Sequence, residues 1–226
     1  KKEQKDEVFE LASMNRLNYS TNVTNVANNG YSCISTHPSS IHSSFSVSSG
    51  KYYVECSGLT AYVGVQEANT ASPAPTYNAS ISGTNSQGIG FWSQAYSIYG
   101  GNGTSSISQI IVSTDGTESV NPASDVIAMA IDMDSSPKTV AWYVNNTRVF
   151  TAKLGSNQYI ARNGTTQTAT ATFADISNLY ITYQGGNTDS RSGDFNFGQD
   201  PSILGNVTPS GGTNADNGFP DEDGRG

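Results

Sequence analysis

The stretch DVIAMAIDMDSSPKTVAWYVNNTRVFT, residues 125–151, decides the fold of this chain. Its first part is almost entirely apolar up to an acidic end, as expected of a strand that is covered on both faces. Ser135-Ser136-Pro137 predicts a turn, and residues 139–144 predict a returning strand. Asn145-Asn146 can adopt the positive φ angles of a tight hairpin turn, after which residues 147–152 return once more. The stretch therefore predicts a three-stranded antiparallel meander.

The chain between residues 15 and 200 repeats this pattern of short β-prone runs separated by turn residues. Charged residues make up only 13% of the chain, too few for many surface helices with paired Lys and Glu side chains. The count of about twelve strands predicts an all-β antiparallel sandwich. Outside the meander the predicted strands are 31–36, 40–47, 51–58, 60–66, 88–92, 94–103, 107–112, 169–173, 178–184 and 194–198.

The parts of the chain outside these strands predict its domain organisation. Residues 1–14 hold a dense charge cluster and are interpreted as an arm or tether before a sandwich at 15–200. Residues 201–226 are rich in Gly and Pro with an acidic end, and are interpreted as an extended tail over a surface. Within the sandwich, residues 67–88 form a long predicted loop, and residues 155–169 are also loop-like.

Charge and cysteine content exclude several function classes. The net charge is −8 and the 11 basic residues are scattered, which argues against nucleic acid as a partner. No apolar run reaches the length of a membrane span, so we expect no membrane insertion. Cys33 and Cys56 could face each other across a sheet, but a pair of buried thiols is the favoured interpretation. With two Cys and two His we expect no zinc site and no cofactor.

The residues needed for catalysis are not evident. His37 and His42 are interpreted as ordinary histidines rather than as general bases. Asp132 and Asp134, with Asp115 or Asp125, could bind calcium, but too few converging oxygens can be named. Turn-capping carboxylates are the favoured interpretation. The sequence therefore predicts a protein that is not an enzyme.

The composition of the loops points to a binding surface instead. The loop 67–88 and the hairpin 92–103 are rich in Tyr, Asn, Ser and Gly. Tyrosine supplies rigid contact area, and Asn and Ser supply adaptable hydrogen bonds. Burial of Trp92 and Tyr99 in the core is the competing interpretation. The candidate ligand-binding residues are Tyr77, Asn78, Trp92, Tyr96, Tyr99 and Asn102.

Six segments follow one another in a fixed order: SGKYYVE (49–55), YVGV (62–65), GIGFW through IYGGNG (88–103), DVIAMAIDMD (125–134), WYVNN (142–146) and DFNFGQ (194–199). In this order they resemble the strand and turn motifs of the SPRY (B30.2-like) family. The resemblance implies a concanavalin-like jelly-roll sandwich. The flanks ELASMN (10–15) and FPDEDGRG (219–226) resemble those of SPRY-like proteins of tailed bacteriophages.

The phage resemblance implies a virion protein: a tail fibre, capsid-associated or adsorption protein. We expect it to assemble as a homo-oligomer and to bind a neighbouring virion subunit or a host-surface glycan or protein. An alternative is an extracellular lectin-like adhesion protein with glycans on its seven Asn-x-Ser/Thr sites. A third alternative is a tail-spike enzyme that degrades polysaccharide. It is disfavoured because the sequence shows no evident pair of carboxyl groups positioned for glycoside hydrolysis.

Overall fold

A computed structural model describes residues 14–19, 23–27, 32–35, 40–58, 62–67, 87–104, 106–111, 119–121, 124–145, 147–184 and 191–196. These residues hold sixteen β-strands. The strands are β1 (Met14–Tyr19), β2 (Val23–Ala27), β3 (Ser32–Ser35), β4 (Ser40–Ser43), β5 (Lys51–Ser57), β6 (Tyr62–Glu67), β7 (Gln87–Trp92), β8 (Ser97–Asn102), β9 (Ser106–Ile111), β10 (Val126–Asp132), β11 (Thr139–Val144), β12 (Thr147–Lys153), β13 (Gln158–Ala161), β14 (Thr166–Thr168), β15 (Leu179–Gln184) and β16 (Arg191–Asn196).

The strands form two sheets in which every pair of neighbours is antiparallel. One sheet has nine strands in the order β14-β13-β12-β11-β10-β5-β16-β3-β2, and the other has seven in the order β1-β4-β15-β6-β7-β8-β9. The predicted all-β antiparallel sandwich is therefore confirmed. In the described part of the chain, no helix is long and apolar enough to cross a membrane.

The core consists of the apolar side chains that alternate along both sheets. Val63, Val65 and Phe91 of the seven-stranded sheet are fully buried, as are Trp142 and Phe150 of the other. The indole Nε1 of Trp142 donates a hydrogen bond to the backbone oxygen of Val63 at 3.1 Å. Because Trp142 lies on β11 and Val63 on β6, this bond joins the two sheets through the core.

The predicted meander is present as β10, β11 and β12. Its first turn is held by Asp132, which accepts hydrogen bonds from the backbone of Asp134 and Ser135, each at 3.0 Å. Its second turn is at Asn145, whose φ of 47° is in the left-handed region that Asn tolerates. The Asn145 side chain accepts a bond from the Val126 amide at 3.0 Å. Local turn chemistry therefore fixes the register of this unit, as the sequence indicates.

The order of strands places the last strands of the chain inside the sheets rather than at their edges. β16 lies between β5 and β3 in the nine-stranded sheet. β15 lies between β4 and β6 in the seven-stranded sheet. The first strands of the chain therefore join their sheets only through strands formed near its end.

The structure differs from the sequence prediction in three places. β1 and β2 lie at residues where no strand was predicted. Residues 155–169, predicted as loop, contain β13 and β14, and residues 169–173, predicted as strand, contain none. The hairpin forms because Asn163 accepts a bond from the Thr165 amide at 3.0 Å, which closes the turn between its strands. The predicted arm and tail stay predictions, since residues 1–13 and 197–226 lie outside the described ranges.

The two cysteines lie in the same sheet but are not neighbours. Gly193 of β16 is the partner of Cys33, and Phe195 is the partner of Cys56. Two strand spacings of about 4.8 Å separate their backbones by roughly 10 Å, beyond the reach of a disulfide. This separation excludes the disfavoured alternative, in which the two cysteines face each other across the sheet. Cys56 is a buried free thiol that donates to the Ile127 oxygen at 3.4 Å.

Candidate binding surface

Three aromatic side chains meet on the outer face of the seven-stranded sheet. Tyr62 stacks on Trp92 with ring centroids 5.9 Å apart, and Tyr99 meets both rings edge-on, at 5.6 Å from Tyr62 and 5.7 Å from Trp92. Each of the three is half-buried, so part of every ring faces outward. We refer to Tyr62, Trp92 and Tyr99 as the aromatic patch.

Strand register brings the patch together. Tyr62 of β6 is the direct partner of Trp92 of β7, and Tyr99 of β8 is the partner of Gly90. Because side chains alternate along a strand, their neighbours Val63, Phe91 and Ile98 point into the core. The patch is therefore the outward half of the same alternation that builds the core.

Two glycines, Gly64 of β6 and Gly90 of β7, lie beside the patch. Gly64 pairs with Gly90, one row further along β6 and β7. A Cβ atom at Gly64 would lie 2.6 Å from the Gly90 Cα and would also meet the Ile89 backbone. Glycine is therefore required at position 64 by the close approach of β7, and both Gly64 and Gly90 are buried beside the aromatic rings.

The tyrosine hydroxyls of the patch stay protonated at neutral pH. Burial raises the pKa of Tyr62 to about 12, with a further contribution from Tyr99. Burial also raises the pKa of Tyr99. Both hydroxyls can therefore donate a hydrogen bond as well as accept one.

The same face continues with uncharged polar side chains. His42 of β4 lies within hydrogen-bond distance of the Gln66 Oε1, at 3.0 Å, and stacks on Tyr180 at 5.3 Å. Burial lowers the pKa of His42, although the bond to Gln66 acts in the opposite direction. No Lys, Arg, Asp or Glu stands at an outward position of β4, β15, β6, β7 or β8. This face is uncharged on a chain whose net charge is −8.

The predicted site residues do not all lie together. Trp92 and Tyr99 belong to the patch, whereas Asn102 lies at the opposite end of β8, about 17 Å along the strand from Ser97, the partner of Trp92. Asn102 donates to the Thr172 oxygen at 3.2 Å and accepts from the Thr104 amide at 3.1 Å. The structure therefore gives Asn102 a place in a turn, away from the patch.

Tyr96 also lies apart from the patch. Its φ is 45°, and only 8% of the residue is exposed. The ring packs edge-on against Phe91 at 5.6 Å, and the Arg162 guanidinium lies 5.8 Å from its centroid. The structure thus groups Tyr96 with the core. Tyr77 and Asn78 lie outside the described residues, so their role stays a prediction.

Tyr62 is the member of the patch that sequence reasoning missed. It stands two residues before Gly64 in the predicted strand 60–66, in the segment YVGV (62–65) that resembles a SPRY motif. Because side chains alternate along a strand, the apolar Val63 indicates that Tyr62 points to the outer face of the sheet. Its pairing with Trp92, 30 positions later, was not readable from the sequence alone.

Three of the four acidic residues considered as calcium ligands serve turns instead, and the fourth, Asp115, lies outside the described residues. Asp132 accepts from the Ser135 hydroxyl at 2.7 Å and lies 3.4 Å from Lys51, in addition to its backbone bonds. Asp134 accepts from the Gly50 amide at 2.7 Å. Asp125 accepts from the Asn145 side chain at 2.8 Å. Their interpretation as turn-capping carboxylates is confirmed, and the described ranges contain no cluster of three acidic, His or Cys side chains suited to a metal.

Comparison with known proteins gives likenesses in structure only. No family model matches the chain, and no curated protein matches it. The SPRY domain of human HERC1 is similar in structure at 15% identity, covering 77% of this chain and 93% of that domain, with a TM-score of 0.45. The TRIM65 PSpry domain is similar at 10% identity, covering 82% and 91%, with a TM-score of 0.46. Both of these structures are SPRY domains.

Proposed function

We propose that this chain is a non-catalytic binding domain of a bacteriophage virion, and that it engages its partner through the aromatic patch. The observation that carries the binding role is the mutual contact of Tyr62, Trp92 and Tyr99 on an outer sheet face. The virion assignment draws its support from the resemblance of residues 10–15 and 219–226 to phage proteins.

The patch has the properties of a recognition surface. Its rings hold one another in place, so little conformational entropy is lost when a partner docks on them. Aromatic residues are enriched at the centres of interfaces, where they supply apolar area together with a hydrogen-bonding group. Trp92 Nε1 already donates to Gln94 at 3.1 Å, which fixes the orientation of the indole.

The charge pattern narrows the kind of partner. The outward positions of β4, β15, β6, β7 and β8 carry no charged side chain that could form an ion pair with a partner. Stacking and neutral hydrogen bonds suit a host-surface glycan, or an apolar stretch of a host or virion protein. The proposed partner is therefore a host-surface ligand or a neighbouring virion subunit.

A binding experiment on host cells tests this role. Fluorescently labelled chain is added to intact bacterial cells, to protease-treated cells and to periodate-treated cells, whose glycans are oxidised. Binding should be lost in the double variant Trp92→Ala/Tyr99→Ala and kept in Tyr143→Ala, which removes a half-buried tyrosine from the other sheet. The cell treatment that abolishes binding identifies a glycan or a protein ligand. Equal binding by both variants would contradict a role for the patch.

The virion assignment has its own test. Immunogold electron microscopy with an antibody against this chain should label intact particles of the phage whose genome encodes it. Labelling at a fixed position would locate the protein in the capsid or the tail. Purified particles that contain neither label nor peptides of this chain would overturn the assignment while leaving the binding role open.

The rival proposal of a glycosylated adhesion protein requires glycans on the Asn-x-Ser/Thr sites. In three of these, at Asn102, Asn145 and Asn163, the amide side chain bonds to nearby turn atoms. This use favours turn chemistry as the reason for the motif. An intact-mass measurement that finds added hexose at Asn102 or Asn163 would favour the rival.

A further inference from the structure

The strand β14, Thr166–Thr168, is the last strand at one end of the nine-stranded sheet. It pairs with β13 on one side through Gln158↔Thr168, Tyr159↔Gln167 and Ile160↔Thr166. All three residues of β14 are exposed, and so are residues 162–165 before them. The other side of β14 is therefore an accessible sheet edge.

The hydrogen-bond pattern shows which backbone groups face this edge. The Ala161 amide donates to Thr165 at 2.9 Å, and the Ala169 amide donates to Asn157 at 2.7 Å. Hydrogen-bonded pairs alternate in an antiparallel ladder, so Tyr159 and Gln167 form the next such pair. The N–H and C=O groups of Thr166 and Thr168 consequently point away from β13, toward the open edge.

Apart from its short length of three residues, the edge lacks the features that usually prevent strand pairing. Residues 163–174 contain no charged residue and no proline, and β14 shows no register shift against β13. Natural sheets commonly protect their edges with charges, proline or bulges. Threonine also has a high preference for strands. This uncharged stretch contrasts with the net charge of −8 on the whole chain.

We propose that β14 pairs with β14 of a second copy of this chain, antiparallel about a two-fold axis at Gln167. In this register Thr166 of each copy lies opposite Thr168 of the other, and Gln167 lies opposite Gln167. Both Thr residues carry outward backbone groups, so the two Thr166–Thr168 pairs are hydrogen-bonded pairs and contribute four bonds. The edge is thus complementary to itself, which a two-fold dimer requires.

A second copy can reach this edge despite the acidity of the chain. Two copies of an acidic chain repel each other wherever their charged surfaces meet, and the 163–174 stretch lets them approach without such a contact. The pairing would join two nine-stranded sheets into one continuous sheet. The aromatic patch lies on the other sheet of each copy, so the dimer would present two patches.

Charge placed on the edge tests the dimer. In Thr166→Lys/Thr168→Lys, lysines of the two copies would lie opposite each other and repel. Sedimentation velocity over a concentration series should therefore show a dissociation constant of the dimer that is at least about tenfold higher than that of the wild-type chain. Thr168→Pro removes an outward N–H but no bond to β13, and should also weaken the dimer. The control Ser46→Lys/Thr147→Lys adds the same charge at exposed sites elsewhere and should leave dimerisation within about twofold.

Far-UV circular dichroism and thermal melting would establish that each variant is folded. A wild-type chain that stays monomeric over the whole concentration series would overturn the proposal. So would a dimer that the edge lysines weaken no more than the control lysines do. Because β14 lies outside the patch, host-cell binding by the monomeric variant would separate failure of this proposal from failure of the proposed function.

Discussion

Replacing Trp142 by Phe tests the link between the two sheets. The Trp142 side chain is fully buried, and its Nε1 donates to the oxygen of Val63, which is also buried. Phenylalanine keeps an aromatic ring against Phe150, 6.0 Å away, but removes the donor. The loss of a bond to a buried carbonyl costs about 1–3 kcal/mol, and the smaller ring leaves a cavity that adds about 1 kcal/mol. The expected loss in free energy of unfolding is therefore about 2–4 kcal/mol.

Trp92→Phe is the matched control, because the chain has only two tryptophans and Trp92 is half-buried. Its indole donates to Gln94, two residues away, so its replacement should cost less than about 1 kcal/mol. Urea unfolding followed by far-UV circular dichroism measures both variants without relying on tryptophan fluorescence. A Trp142→Phe variant no less stable than Trp92→Phe would refute the reasoning that this bond joins the sheets.

Three further changes test other parts of the molecule. Burial lowers the pKa of His42, so the unfolded chain binds its proton first as the pH falls below about 6.5. The free energy of unfolding should therefore decrease between pH 7 and pH 5, and His42→Gln should reduce that slope in pH-dependent urea unfolding. Burial raises the pKa of Asp132, but the bonds from Ser135 and Asp134 and the nearby charge of Lys51 together outweigh it, so the net pKa is lowered. The ionised Asp132 therefore stabilises the folded chain above the ordinary pKa of an aspartate, and this stabilisation is lost as the pH falls through the pKa of Asp132 in the folded chain. Asp132→Asn should lower the free energy of unfolding by about 1 kcal/mol at pH 7 but by little at pH 2. Gly64→Ala should lower stability by about 1–3 kcal/mol, seen as a lower calorimetric melting temperature, because the added Cβ meets the backbone of β7; an unchanged melting temperature would contradict the close approach.

The meander could be predicted from sequence because its determinants are local. The apolar run of β10 is continuous, Asp132 bonds the backbone two and three positions later, and Asn145 turns the chain by its own φ of 47°. Strand type, turn position and pairing then follow without knowledge of the rest of the chain. The structure confirms all three strands of this unit.

The hairpin β13–β14 could not be predicted in the same way. β14 is polar and exposed, and β13 is only partly buried, so the hairpin lacks the buried apolar alternation that marks a strand in sequence. Its residues form strands because β12 offers a free edge for β13 to pair with. Residues 169–173 contain the strand-prone Thr170, Thr172 and Phe173, yet no strand forms there.

The candidate site was partly predictable for a related reason. Trp92 and Tyr99 lie in one hairpin, so their sequence spacing is enough to bring them near each other. Tyr62 comes from a different part of the chain, and its place beside Trp92 depends on the pairing of β6 with β7. Asn102 is in the same hairpin as Trp92, but the six residues of β8 carry it to the far end of the sheet.

The interior position of β15 and β16 has a consequence for synthesis. On the ribosome, the nascent chain emerges from its N-terminus, so β1 to β4 leave the exit tunnel long before residues 179–196 are made. β3 cannot join the nine-stranded sheet until β16 is available to pair with it, and β4 cannot join the seven-stranded sheet until β15 is available. The strands in residues 14–43 therefore lack their inner sheet partners until residues 179–196 have been made, and during that interval their unpaired edges are open to aggregation.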